Sequence, residues 1–212
     1  MRTRSRSVKI NPVFAIVVEG ETEAWYFQML KRHERDIRVN IKPEIPGKKS
    51  LAEQYKLVRD LSKKEYTKVF WIIDLDTLVS EDSRTPKGKK SPLTIFHEYR
   101  KNLARNCKNV VVIVNNPCLE FWFLLHFETT SRQFVNCSSA ERRLRGYLTS
   151  YEKTKRFFTQ ENNDIYLMLK PHLNEALLNS IALGDYDHRD PSKAMCEMEL
   201  LFYANEIRGH FE

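Results

Sequence analysis

Short apolar runs alternate with stretches of helical periodicity along the first part of the chain. Val13 to Val18 and Val69 to Ile73 are unbroken apolar runs of strand length, each followed by an acidic residue, and read as buried strands. Asp36 to Lys42 alternates, with Ile37, Val39 and Ile41 on one face, and reads as the second strand; Val110 to Val114 reads as the fourth. Thr22 to Arg32 carries Trp25, Tyr26, Met29 and Leu30 at helical spacing, with Thr22 placed to cap the helix. After a break at Pro43, Pro46 and Gly47, a helix runs from Ser50 to about Lys64, with Leu51, Tyr55, Val58 and Leu61 facing inward. Thr77 to Pro92 is rich in Ser, Pro, Lys and Gly and reads as a mobile loop, followed by a helix from about Leu93 to Arg105.

Cys118 to Phe127 is apolar nearly all round and reads as a buried helix, with Asn116 as its cap and Pro117 in its first turn. Beyond Ser131 the pattern is helical only, near 138–149, 151–160, 164–182 and 192–208. The order β-α-β-α-β-α-β predicts an α/β fold, a mostly parallel sheet of about four strands flanked by helices. That core spans residues 13–130, between a basic arm over 1–12 and a helical C-terminal portion over 131–212 that packs on the core.

Composition narrows the function classes. A chain of 212 residues, 42% hydrophobic, can bury a core of its own. It has no apolar run of the roughly 20 residues that span a bilayer and no signal-peptide pattern, so no membrane partner is expected. Cys107, Cys118, Cys137 and Cys196 lack paired spacing, which argues against a zinc cluster or disulfide framework and for a reduced, cytoplasmic setting. A net charge of +7 favours polyanionic partners, nucleic acid first. The charge is clustered: Arg2, Arg4, Arg6 and Lys9 form an arm, Lys87, Lys89 and Lys90 follow the third strand, and Arg142, Arg143, Arg145, Lys153, Lys155 and Arg156 form a third group.

Acidic residues sit where ligands bind in open α/β sheets, at the carboxyl ends of strands. Glu19 follows the first strand, and Glu23 lies four residues on, able to share its face. Asp74 and Asp76 follow the third strand and, if the segment is extended, point to one side. Glu120 is the only charged side chain between Asn115 and His126, and a buried carboxylate is costly unless paired or metal-bound. Gathered carboxylates repel unless a cation neutralises them, which points to Mg²⁺ or Mn²⁺ held by Glu19, Glu23, Asp74 and Asp76. Asn116 and His126 are auxiliary candidates, although a His on an apolar helix is more often a core residue.

The order Glu19-Gly-Glu-Thr-Glu23, Asp74-Leu-Asp76, then Asn116-Pro-Cys-Leu-Glu120-Phe-Trp resembles the RloB family over roughly residues 13 to 208. Asp190-Pro191-Ser192-Lys193 is similar to that family's Asn-Pro-Ser-Thr segment but departs from it at two of four positions. The resemblance implies a Toprim-like fold. Toprim domains of topoisomerases, primases and OLD-type nucleases use a strand-end Glu and a DxD to hold Mg²⁺ during phosphoryl transfer. In the OLD-type variant a second acidic residue four positions on contributes, which matches Glu23. The resemblance also implies a role in prokaryotic antiphage defence and an AAA- or ABC-type ATPase partner.

The expected activity is metal-dependent hydrolysis of phosphodiesters in RNA or DNA. Glu120 would complete the site, and Lys87, Lys89, Lys90, Arg142, Arg143, Lys153 and Lys155 would hold the nucleic-acid backbone. Two alternatives remain open. One is a non-catalytic subunit binding nucleic acid or an ATPase. The other is a HAD-type phosphatase using Asp74-Leu-Asp76-Thr77 and the later Asp185 and Asp190, which leaves Glu19 without a role. Self-association through the helical portion is a further possibility.

Overall fold

The computed structural model describes residues 12–42, 49–208 and 211. The basic arm (Arg2, Arg4, Arg6, Lys9) and the break at Pro43, Pro46 and Gly47 lie outside the described residues. In chain order the elements are β1 (Val13–Val17), α1 (Glu21–His33), β2 (Arg38–Lys42), α2 (Leu51–Ser62), β3 (Lys68–Asp74), α3 (Asp76–Asp82), α4 (Pro92–Asn106), β4 (Val110–Asn116), α5 (Leu119–Leu125), α6 (Cys137–Leu144), α7 (Lys155–Phe158), α8 (Ile165–Leu169), a 3₁₀ turn (Lys170–His172), α9 (Leu173–Leu183), β5 (Met195–Cys196) and α10 (Glu199–Phe202).

The sheet has the order β2-β1-β3-β4-β5. β2, β1, β3 and β4 are parallel; β5 runs antiparallel to β4, with Asn116 opposite Met195. This mostly parallel α/β sheet flanked by helices agrees with the expected class and is compatible with a Toprim-like fold. The expectation of about four strands and an all-helical C-terminal portion is corrected by β5. Its two residues lie within a pattern that reads as helix, and they pair only because β4 offers a free edge.

Alternation along each strand sends side chains to opposite faces. Phe14, Ile16, Phe70, Ile72 and Ile113 face one core, with α1, α5 and the C-terminal helices over them. Ala15, Val17, Val69, Trp71, Ile73, Val112 and Val114 face the other, under α2, α3 and α4. The C-terminal portion therefore shares a core with the sheet: Trp25 of α1 packs on Phe158 of α7, and Tyr26 on Tyr166 of α8. His33 also meets buried Asp164 at 2.6 Å.

Caps explain several boundaries. Ser50 and Glu53 form a reciprocal capping box at α2, and Ser91 caps α4 with Pro92 in its first turn. Gly20, not Thr22, precedes α1 as its cap position. The segment expected to be a loop from Thr77 to Pro92 begins instead as α3, anchored by Leu78 in the core, before its polar turn. Among the described residues, no helix is long and apolar enough to cross a membrane.

Candidate functional site

Strand order reverses between β1 and β3: α1 leads from β1 outward to β2, whereas α3 and α4 lead from β3 to β4 on the other side. A crevice opens beyond the carboxyl ends of strands at such a point. Glu19 lies just past β1 and Asp74 closes β3, so both reach it. A cavity of about 380 Å³ there is lined by Glu19, Asp74 and Glu81 together with Lys49, Ser50 and Gln54.

Each carboxylate is set by a different local device. Glu19 stands exposed at the mouth, yet its carboxyl is pushed above the usual range by the surrounding protein, then by the charges of Glu23 and Asp76. Asp74 Oδ2 accepts the Leu119 N–H at 3.3 Å. Its carboxyl is pushed well up by desolvation, then by the charges of Glu23 and Glu120. Asp76 is the first residue of α3 and not part of an extended segment, correcting the expected alternation. It still turns toward the site: Oδ1 accepts the Thr77 N–H at 2.7 Å, and Oδ2 accepts the Cys137 N–H at 3.4 Å.

Glu23 comes from the first turn of α1 and is 9% exposed, its carboxyl raised chiefly by burial and by the charge of Glu120. Its Oε2 is buried without a hydrogen-bond partner. That oxygen folds back over Gly20, where a Cβ would stand only 2.7 Å from it. Glycine in the Glu-Gly-x-Thr-Glu motif thus leaves space for the carboxylate. Glu21, between the two, is exposed.

Glu120, on α5, is 2% exposed. Its Oε1 accepts the Tyr151 hydroxyl at 2.8 Å and pairs with Lys153 Nζ at 2.8 Å. Its Oε2 lies 2.9 Å from the sulfurs of both Cys118 and Cys137. Those two cysteines form a disulfide, which corrects the expectation of unpaired thiols. Their spacing of 19 residues carries no motif, and only the packing of α6 beside α5 brings them together. Cys107 and Cys196 are free.

The donors suit a hard dication, which takes carboxylate oxygens. The charges of Glu23 and Asp76 raise the proton affinity of both Glu19 and Asp74, and Glu23 Oε2 lacks the partner that a buried oxygen needs. Of the four carboxylates, Glu19 and Asp74 belong to the cavity lining. Among the described residues, the trio whose donor atoms all lie within 4.8 Å of one another is Cys118, Glu120 and Cys137.

Other candidates fall elsewhere. Asn116 does not cap α5; its Nδ2 donates to the carbonyls of Pro191 at 2.9 Å and Lys193 at 2.6 Å, holding the 190–193 segment beside β4. His126 is buried against Trp122, donates from Nδ1 to the Trp122 carbonyl, and is held neutral by burial, its pKa pulled down to about 3. It lies six positions from Glu120 on the helix and turns to a different face. Lys87, Lys89 and Lys90 are exposed after α3, with Lys90 paired to Glu98 at 2.6 Å. Arg142 and Lys155 are exposed, while Arg143 is engaged with Glu128 at 2.6 Å. Lys153 turns inward to Glu120. Tyr151 and Glu81 carry no signal in the sequence, because neither lies in a motif or on a strand end.

The model of the RloB-like protein family matches residues 14–203. The chain belongs to that family. The matched span of this RloB-like protein contains every carboxylate of the crevice and the segment from Tyr151 to Lys153. No curated protein and no solved structure matches the chain.

Proposed function

We propose that this RloB-like protein is a divalent-metal-dependent phosphodiesterase of RNA or DNA, working in the cytoplasm in prokaryotic antiphage defence. One observation carries the reading: Glu19 and Asp74 line the crevice where the strand order reverses, within reach of the charges of Glu23 and Asp76, and one buried Glu23 oxygen is left without a partner. Glu19, Glu23, Asp74 and Asp76 would hold Mg²⁺ or Mn²⁺, which when bound stabilises charge on the attacking and leaving oxygens of a phosphodiester.

The chain's own groups supply the rest. Glu120, held by Tyr151 and Lys153, would position the attacking water and receive its proton. Lys153, shared between Glu120 and solvent at 39% exposure, offers a cation to the phosphate. Exposed Lys87, Lys89, Arg142 and Lys155 would hold the flanking backbone, so binding should weaken steeply with salt. A partner ATPase would act as trigger, an element that rests on the family resemblance.

Cleavage of single- and double-stranded RNA and DNA in Mg²⁺ and Mn²⁺ tests the reading. Asp74→Asn combined with Asp76→Asn should abolish it, and unchanged cleavage would overturn the reading. Tight nucleic-acid binding without turnover, in either metal and with an ATPase present, would favour a non-catalytic subunit. The phosphatase alternative requires a covalent aspartyl phosphate on Asp74 and tolerance of Glu19→Gln.

A further inference from the structure

The Cys118–Cys137 pair lies in the wall of the acidic centre and touches it at three points. The residue after Cys118, Leu119, donates its N–H to Asp74 at 3.3 Å. Cys137 donates its own N–H to Asp76 at 3.4 Å. The bond between the sulfurs therefore ties together the two backbone segments that hold both aspartates of the DxD. The third contact is Glu120 Oε2, 2.9 Å from either sulfur.

Hydrogen bookkeeping gives these contacts a chemical meaning. A disulfide sulfur carries no hydrogen, so neither can donate to Glu120, and the carboxylate faces two sulfur lone pairs. In the dithiol state the same oxygen accepts an S–H from either cysteine. Oxidation thus strips Glu120 of its sulfur-side donors and leaves it Tyr151 and Lys153 on Oε1 alone. Burial separates the sulfurs' roles. Cys137 is partly exposed with Lys153 Nζ 3.3 Å away, whereas Cys118 is 2% exposed. A partly exposed cysteine backed by a buried resolving partner is the arrangement of reversible thiol oxidation.

We propose that Cys118 and Cys137 form a reversible thiol–disulfide couple, oxidised by a peroxide, whose state sets how tightly the adjoining carboxylates hold a divalent cation. The coupling rests on the metal reading; the oxidation chemistry does not. The Cys137 sulfur attacks an oxygen of hydrogen peroxide, forming S–O as O–O breaks, and the departing hydroxide takes the Cys137 proton and leaves as the first water. The Cys118 sulfur then displaces the hydroxyl from Cys137, forming S–S as S–O breaks, and the second water leaves with the Cys118 proton. The two sulfurs lose two electrons in total and the peroxide gains them. The disulfide form binds the cation more tightly, because Glu120 has lost donors that competed for its charge and the segments holding Asp74 and Asp76 are joined. Changes to groups that orient metal ligands shift affinity by about 10- to 100-fold, and the lower end is expected here.

The test uses the full chain, treated with hydrogen peroxide or with dithiothreitol. Peptide mapping by mass spectrometry should find the Cys118–Cys137 link after peroxide and its loss on reduction. Mn²⁺ calorimetry should then give about tenfold tighter binding for the oxidised form. Cys137→Ser should bind like the reduced form whatever the treatment, with Cys118→Ala as the second variant if the first misfolds. A pair that stays reduced under peroxide would overturn the proposal, as would a reduced protein that takes up Zn²⁺ through both thiols. Equal Mn²⁺ affinity in both states would refute the coupling. No Mn²⁺ binding by either form would sink the metal reading instead, and the couple would stand or fall by the mapping.

Discussion

Replacing Gly20 by alanine separates a role for Glu23 in metal binding from a role in folding. Gly20 has an extended backbone, φ −120° and ψ 177°, which alanine adopts without strain. The added methyl would stand 2.7 Å from Glu23 Oε2, while ordinary contact begins at 3.4 Å, so the oxygen must retreat by about 0.7 Å (3.4 minus 2.7). Metal coordination tolerates displacements of about 0.2 Å, and Mg²⁺ demands near-ideal octahedral geometry. The expected result is a loss of about 10- to 100-fold in Mn²⁺ or Mg²⁺ affinity by calorimetry. Stability should fall by only about 0.5–1 kcal/mol, the difference between glycine and alanine at a helix cap, or a few degrees in Tm. Combining Gly20→Ala with Glu23→Gln should add nothing further to the loss of binding, because both act on one ligand. Full additivity of the two, or wild-type affinity in Gly20→Ala, would refute the reasoning.

Metal binding should release protons, since Asp74, Glu23 and Glu19 all have raised pKa values. Calorimetry in buffers of different ionisation heat should show proton release, with affinity falling as pH is lowered. The same shifts set the sign of a stability effect. An acid whose folded pKa is raised contributes stability below its unfolded value, near 3.8 for Asp74, and loses it as pH climbs toward the folded value. Asp74→Asn should therefore raise the metal-free protein's melting temperature at pH 7 relative to wild type while leaving it little changed at pH 4. Lys153→Met removes the cation beside Glu120 and should destabilise the metal-free chain by about 1 kcal/mol, the pair being partly exposed. It should also weaken nucleic-acid binding and lower its salt slope by about one. His126→Phe should cost stability, measurable by denaturant unfolding, and leave Mn²⁺ affinity unchanged; altered affinity would contradict its placement in the core.

The sheet was legible because its strands are short apolar runs whose order and helical spacers leave few topologies. The placement of Glu19 and Asp74 was legible because strand ends at a reversal of strand order form a crevice whatever the sequence around them, whereas Asp76 opens a helix that its composition does not announce. The rest depended on contacts between residues far apart in the chain. Met195 and Cys196 become a strand only against the free edge of β4. Thr77 to Asp82 reads as loop by composition, yet Leu78 finds the core and closes a helix. Cys118 meets Cys137, and Glu120 meets Tyr151 and Lys153, through the packing of α5 against α6 and the segment after it. No periodicity encodes those meetings, so Lys153 read as a surface cation and the cysteines as unpaired.

Divalent-metal titration by calorimetry, with Mg²⁺ and Mn²⁺, on wild type and on Glu19→Gln/Asp74→Asn is the most direct test of the acidic centre. Saturable binding by wild type that disappears in the double variant, with the fold intact by circular dichroism, is the expected result. Binding that persists unchanged in the double variant would contradict a carboxylate metal centre in the crevice between β1 and β3.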